Sequence, residues 1–200
     1  MLEIWEGLFK DKQEVWGFTP AKSAILTKDF FIEHHVKNIL IPGIGYGRNA
    51  KPFIDNGILV TGIEISQTAI ELAKKHFGDE LKIYHGSVTE MPFDDTLYDA
   101  IFCYALIHLL DKNERRKLIQ DCFNQLREDG IMVFATISKK AQTYGQGTQV
   151  GKDRFEIFPG IKLFFYDNES IAEEFIHVGL FEITEIEDIL PFYLVKCKKN

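Results

Sequence analysis

Three glycines at alternate positions, Gly43, Gly45 and Gly47, fall between the apolar run Ile39-Leu40-Ile41 and a helical pattern that opens at Arg48. Glycine at such a turn lets the backbone bend tightly and approach a ligand with no Cβ in the way. The spacing is GxGxG. A dinucleotide fingerprint, GxGxxG, would place its third glycine at position 48, which is Arg48. The loop alone is compatible with a generic strand-to-helix turn. A second feature narrows it: the next apolar run ends Gly62-Ile63-Glu64, putting a carboxylate at the tip of the neighbouring strand. An acid there accepts hydrogen bonds from the two hydroxyls of a ribose and repels a 2′-phosphate. The alternative is a free surface glutamate.

Those residues need a frame, and the hydrophobic pattern supplies one. Short runs rich in Ile, Val and Phe, at Lys37–Ile41, Ile58–Ile63, Leu81–Tyr84, Tyr98–Cys103 and Ile131–Ile137, read as strands. Between them Arg48–Asn56, Gln67–Phe77 and Lys112–Arg127 carry helix-spaced apolar residues, with Ser66 as N-cap of the second. Alternation of this kind predicts a doubly wound α/β sheet, mostly parallel and covered on both faces. The end of the chain changes rhythm. After a helix at Glu169–Val178, the runs Phe181–Ile189 and Phe192–Lys196 are joined only by a turn at Pro191. So short a join requires an antiparallel pair.

Bulk properties exclude several classes. Two hundred residues, 46% apolar and 26% charged, suit one α/β domain over residues 1–200. A net charge of −7 disfavours a dedicated nucleic-acid binder. Cys103, Cys122 and Cys197 lie far apart with no CxxC or His/Cys cluster, which predicts a reducing compartment and no metal site, with Cys103 and Cys122, among apolar neighbours, as small core residues. No basic-then-apolar leader and no membrane-length apolar run is visible, so the expected location is cytoplasmic, with no membrane partner.

A third run turns the pattern into a resemblance. Gly86-Ser87-Val88-Thr89-Glu90-Met91-Pro92-Phe93-Asp94-Asp95-Thr96-Leu97-Tyr98-Asp99 is similar, without gaps, to the class I methyltransferase segment G-D-A-x-x-L-P-F-x-x-x-x-F-D. With the glycine loop, Glu64, and Leu126-Arg127-Glu128-Asp129-Gly130, the chain resembles class I S-adenosylmethionine-dependent methyltransferases over roughly residues 37–137. Phe158-Pro159-Gly160 and Phe164-Phe165-Tyr166 before a helix look like the tellurite-resistance and thiopurine-type branch of small-molecule methyltransferases.

The resemblance implies a seven-stranded Rossmann-like methyltransferase sheet ending in an antiparallel hairpin. It implies that Gly43, Gly45 and Gly47 line the methionine part of the cofactor, that Glu64 holds the ribose and that Ile65 packs on the adenine. Ser87 stands where the family usually has the aspartate that bonds the adenine amino group; its hydroxyl can still accept, and the Val88 amide can meet a ring nitrogen. Pro42 replaces the acid that usually opens the loop. Arg48 is placed to pair with the cofactor carboxylate, and Tyr104 to wall the methionine site.

The acceptor end is less determined. A methyl on a positive sulfonium is already activated, so alignment and exclusion of water matter more than any one catalytic group. If Cys103–His108 is helical, Tyr104 and His108 share a face. His108 is then a candidate base or acceptor-orienting group; the alternative is a histidine bonded to local backbone beside the core. Residues 1–36 hold Trp5, Phe9, Trp16 and Phe18 and are either an aromatic lid, with Trp16 its best member, or a helix packed on the sheet edge. Residues 138–167 form an insertion in which Tyr144, Arg154 and Tyr166 are candidate substrate-cover residues.

The function expected is methyl transfer from S-adenosylmethionine to a small-molecule acceptor. Two other classes stay open. A nucleotide-cofactor (NAD-type) oxidoreductase shares strands one to five, but the early third glycine and the terminal hairpin count against it. A non-catalytic S-adenosylmethionine-binding protein would bind cofactor and stay silent in every acceptor assay.

Overall fold

The computed structural model describes residues 2–200. Its centre is a seven-stranded sheet in the order β3-β2-β1-β4-β5-β10-β9. The strands are β1 (Asn38–Pro42), β2 (Leu59–Glu64), β3 (Lys82–His85), β4 (Tyr98–Tyr104), β5 (Leu126–Ile137), β9 (Leu180–Glu187) and β10 (Pro191–Lys198). The first five are parallel; β10 runs antiparallel to both β5 and β9. The terminal hairpin therefore enters with its last strand innermost. A dinucleotide-binding sheet continues 3-2-1-4-5-6 in one direction instead. The hairpin turn is Asp188–Leu190, and Pro191 opens β10 rather than occupying the turn.

Both faces of the sheet are covered, and the near-continuous apolar strands reflect that. One face packs Ile39, Ile41, Phe102, Val133 and Phe53 beneath α2 (Lys22–Glu33) and α3 (Lys51–Ile54). The other packs Leu40, Ile101, Phe134, Leu118 and Phe175 beneath α5 (Lys112–Asn124) and α6 (Asn168–Phe175). Cys103 and Cys122 are buried and unpaired in this second layer. The other helices are α1 (Leu2–Lys12) and α4 (Gln67–Phe77), the latter capped by the Ser66 side chain, which accepts the Ala69 amide.

Two elements differ from expectation. The helix anticipated over Arg48–Asn56 shrinks to Lys51–Ile54, because Pro52 sets its first turn and Gly57, with φ +74°, ends it. The insertion at 138–167 builds a second, three-stranded antiparallel sheet of β6 (Thr148–Gly151), β7 (Arg154–Phe158) and β8 (Ile161–Phe164). No described helix is long and apolar enough to cross a membrane.

Candidate functional site

The loop after β1 is stitched onto the tip of β2. The amides of Gly43 and Ile44 donate to the Ile63 carbonyl at 2.8 and 3.1 Å. One Glu64 oxygen then accepts the Gly45 amide at 2.8 Å, and the other accepts the Ser66 amide at 2.9 Å. Wrapping the strand tip this way needs positive φ at Gly43 (+68°) and Gly45 (+60°), which glycine adopts without strain. Glu64 is 6% exposed; burial raises its pKa, against the lowering effect of the backbone amides it accepts.

Above the loop lies a cavity of about 670 Å³ at the carboxyl ends of the parallel strands, where open α/β sheets bind ligands. Gly43, Gly45, Glu64, Ile65, Ser87 and Val88 line one end. A Cβ built on Gly45 would meet nothing nearer than Phe9 at 4.0 Å, so that position opens on free space. Arg48 lies on the wall, 8% exposed; its Nη1 donates to the Thr19 carbonyl at 3.1 Å, and no carboxylate lies within ion-pair distance among the described residues. A buried guanidinium without a counter-charge is a ready partner for a ligand carboxylate. Glycine loop, ribose-ready acid and unpaired cation together fit S-adenosylmethionine. Gly47, with φ +84°, is not on the cavity lining; a Cβ there would stand 2.7 Å from the Phe77 ring.

The other end is walled by Tyr104, His108, Phe192, Leu190, Ile161 and Leu163. Tyr104 is the last residue of β4 and lies parallel to Phe192, ring centroids 5.7 Å apart. Burial pushes its phenol up to about 12. The segment from Cys103 to His108 is not a helix: β4 runs through Tyr104, Ala105 takes φ +52°, and only Ile107–Leu109 makes a single 3₁₀ turn. Tyr104 and His108 still meet at the cavity, brought there by the reversal at Ala105. His108 is buried, its Nδ1 3.3 Å from both Thr136 Oγ1 and the Ile137 amide. Burial drives its pKa down to about 3, which rules out an imidazolium at neutral pH.

The N-terminal segment covers the opening. Leu2, Trp5 and Phe9 of α1 and then Trp16 line the cavity, and Trp16 stacks on Tyr46 at 6.5 Å and 12°. Tyr46 fastens this segment to the loop, donating to the Gly17 carbonyl at 2.8 Å and accepting the Trp16 amide at 3.1 Å. Glu6 fastens α1 to the start of α4, accepting from Ser66 Oγ at 2.6 Å and Thr68 Oγ1 at 2.7 Å. Such residues carry no local sequence signal, because their partners lie tens of residues away.

Three cover residues expected from the sequence are not on this wall. Tyr166 is fully buried, its hydroxyl donating to Glu174 at 2.8 Å beside the Arg115–Glu174 ion pair. Tyr144 bonds Asp153 at 2.7 Å and packs edge-on against Phe155 and Phe165. Arg154 points to the opposite face of β7 from Phe155 and lines a separate 300 Å³ recess with Lys112, Arg115 and Lys152. The alternation of β7 directs it there. The residues of the insertion that do reach the cavity are Phe158, Ile161 and Leu163.

Comparison with known proteins agrees with this architecture. The family model described as a methyltransferase domain matches residues 40–134. The ubiquinone biosynthesis O-methyltransferase of Glaesserella parasuis is 28% identical over 116 residues, covering 54% of this chain and 48% of that protein. Its Pelagibacter ubique counterpart is 32% identical over 126 residues, covering 60% and 52%. The chain thus spans about half the length of these curated relatives. The crystal structure of Burkholderia thailandensis 1,6-didemethyltoxoflavin-N1-methyltransferase, with its substrate and S-adenosylhomocysteine bound, aligns over 100% of this chain and 87% of its own. Its TM-score is 0.75 at 14% identity. A methyltransferase-domain model thus matches residues 40–134, just under half of the chain, and the whole length of the chain takes the fold of that N1-methyltransferase.

Proposed function

We propose that this protein transfers a methyl group from S-adenosylmethionine to a small, largely apolar acceptor. The observation that carries the proposal is the end of the cavity where Gly43, Gly45, Glu64 and the unpaired Arg48 converge. When bound, the cofactor supplies a methyl group made electrophilic by its positive sulfonium. The chain's own residues do the rest: Glu64 accepts the ribose hydroxyls, Arg48 holds the carboxylate, and Ile65 with Ser87 and Val88 frames the adenine. Tyr104 walls the methionine arm, and the aromatic cover excludes water, which raises the reactivity of the aligned nucleophile.

The acceptor class follows from the opposite end. Its walls are Phe192, Leu190, Ile161 and Leu163, and its rim adds the exposed side chains of Leu2, Trp16, Phe158 and Ile189. An apolar pocket of this size selects a small, poorly charged molecule. The net charge of −7 supports the same choice over a nucleic acid. Residues 1–36 act as the lid and 138–167 as part of the cover, within one domain over 1–200. The Phe158–Gly160 and Phe164–Tyr166 motifs favour the tellurite-resistance and thiopurine-type branch. Buried free cysteines favour a reducing, cytoplasmic setting.

The test is calorimetry with S-adenosylmethionine, S-adenosylhomocysteine and NAD(H), followed by a labelled-methyl screen over thiols, selenite, tellurite, phenols and small amines. Saturable cofactor binding with transfer to one of these supports the proposal. Tight NAD(H) binding without S-adenosylmethionine binding overturns it, and transfer only to tRNA or protein overturns the small-acceptor part.

A further inference from the structure

His108 sits where the acceptor must approach, and its hydrogen bonds fix more than its position. A backbone amide can only donate, so the Ile137 amide, 3.3 Å away, requires an unprotonated Nδ1. Thr136 Oγ1, also at 3.3 Å, can donate to the same atom. A neutral imidazole with a bare Nδ1 carries its proton on Nε2. Nε2 has no protein partner among the described residues and is not sealed away from the cavity that His108 lines. Adding a second proton to this ring would set Nδ1–H against the Ile137 N–H in a dry site.

We infer that His108 is a fixed hydrogen-bond donor whose Nε2–H faces the acceptor, so the molecule methylated here carries a hydrogen-bond-accepting oxygen or nitrogen next to its apolar body. This deepens, and rests on, the assignment of the apolar end of the cavity to the acceptor. His108 is a specificity and positioning residue and does not take the acceptor's proton. In the transfer the acceptor's lone pair forms the bond to the methyl carbon. The carbon–sulfur pair stays on sulfur, and any proton on the accepting atom leaves to solvent. The surroundings hold the ring neutral. Thr136 and Ile137 of β5, Ile161 and Leu163 of β8 and Phe192 of β10 present nothing titratable to it. The other charged or titratable groups on the same cavity are Tyr46, Arg48, Glu64, Tyr104 and Glu114. Both Glu64 oxygens are held by backbone amides, and Glu114 is tied to the Asp111 amide at 2.8 Å.

Nitrogen-15 NMR of the histidine-labelled full-length protein tests this, with His108→Gln assigning the resonance. The expected result is one bare Nδ1 and one protonated Nε2, unchanged from pH 5 to pH 8. An Nδ1–H tautomer, or a doubly protonated ring growing in across that range, overturns the inference whether or not the protein proves to be a methyltransferase. A second arm adds 2-acetylnaphthalene or its hydrocarbon isostere 2-isopropylnaphthalene to protein saturated with S-adenosylhomocysteine. The ketone should move the Nε2–H resonance and bind about tenfold tighter than the isostere, the size of one buried hydrogen bond, with that preference lost in His108→Leu. Equal responses to the two, or none to either, remove His108 from acceptor recognition. Failure to bind S-adenosylhomocysteine at all would instead sink the cofactor assignment and leave the tautomer result standing.

Discussion

The hydroxyl of Ser66 donates to the carboxylate of Glu6 at 2.6 Å, joining the N-terminal helix to the residue that caps α4. The same serine gives its amide to Glu64. Glu6 of the N-terminal helix and Glu64 at the tip of β2 are thus two hydrogen bonds apart. Bonds from Ser66, then Thr68, hold the Glu6 carboxyl down to about 2, against the usual 4.5. A carboxyl whose folded pKa is depressed stabilises the fold above its ordinary value and loses that contribution as pH falls through the folded one. Glu6→Ala should cost about 1–2 kcal/mol near pH 7 and expose the first twenty residues to limited proteolysis. Wild-type and mutant stabilities should converge as pH falls from 4.5 towards 2. Parallel curves down to pH 2 would mean that the latch contributes nothing.

Glu64→Ala should weaken S-adenosylhomocysteine binding by about 1–3 kcal/mol, because two ribose hydroxyls lose a charged acceptor. Glu64→Gln should do nearly as much harm. The amide NH₂ must face either the Gly45 or the Ser66 amide, donor against donor. The pH dependence has a definite sign. Burial raises the Glu64 pKa, so the free protein keeps this proton to a higher pH than the unfolded chain does. The stability this contributes is present at low pH and is lost as pH rises through the raised value. Ribose hydroxyls prefer the carboxylate, so affinity should climb through that same range, with a proton released on binding. Calorimetry in two buffers of different ionisation enthalpy reads the release directly, and an affinity flat with pH would remove Glu64 from the ribose site.

What the sequence disclosed follows the range of the interactions involved. The parallel strands, the Ser66 cap and the Gly43–Gly45–Glu64 cluster were legible because each rests on neighbours in the chain: alternating periods, a cap, a turn that needs glycine. The terminal hairpin was legible because a three-residue join permits one geometry. The contact that excludes a side chain at Gly47 was not legible, because spacing does not show that Phe77, thirty residues on, lies over it. That Tyr166 and Arg154 lie off the cavity wall was not legible for a related reason. Which face of a short insertion turns inward depends on pairing within β6–β7–β8, and the aromatic content of the segment does not encode that. The hairpin's share of the cavity, Leu190 and Phe192, came from strand order alone.

The two loop glycines should therefore fail differently. Gly45→Val projects a branched side chain into the cavity and should abolish cofactor binding while the far-ultraviolet circular dichroism stays native. Gly47→Val drives into the Phe77 ring and should lower stability by about 1–3 kcal/mol, with cofactor affinity reduced only as far as the fold is. Thermal unfolding alongside calorimetry separates them. If Gly45→Val binds normally, the loop does not touch the ligand.

Tyr166 should behave as a core residue. Tyr166→Phe removes a donor from Glu174, whose side chain is 4% exposed and otherwise depends on Arg115. The expected loss is about 1–2 kcal/mol of stability, with affinity for S-adenosylhomocysteine within twofold of wild type. Unchanged stability with altered acceptor selectivity would return Tyr166 to the substrate cover.

Trp16 gives the most direct reading of how the lid meets the ligand. It is 43% exposed at the rim, yet its indole lies parallel to Tyr46, which sits within the glycine loop on the same cavity. An indole face there attracts a sulfonium and is indifferent to a neutral thioether. Trp16→Ala should therefore weaken S-adenosylmethionine by about 1 kcal/mol, roughly fivefold, and S-adenosylhomocysteine much less. The two ligands differ in charge and one methyl, so the ratio of their affinities isolates the ring's electrostatic effect from lost packing. Trp5, the second of the chain's two tryptophans, lines the same cavity with its ring 6.3 Å from that of Trp16, so intrinsic fluorescence can report both titrations. Emission should shift to shorter wavelength as ligand displaces water from Trp16, and Trp16→Phe should lose most of that shift. Equal weakening of both ligands in Trp16→Ala would make the residue a hydrophobic cover, with no hold on the sulfonium.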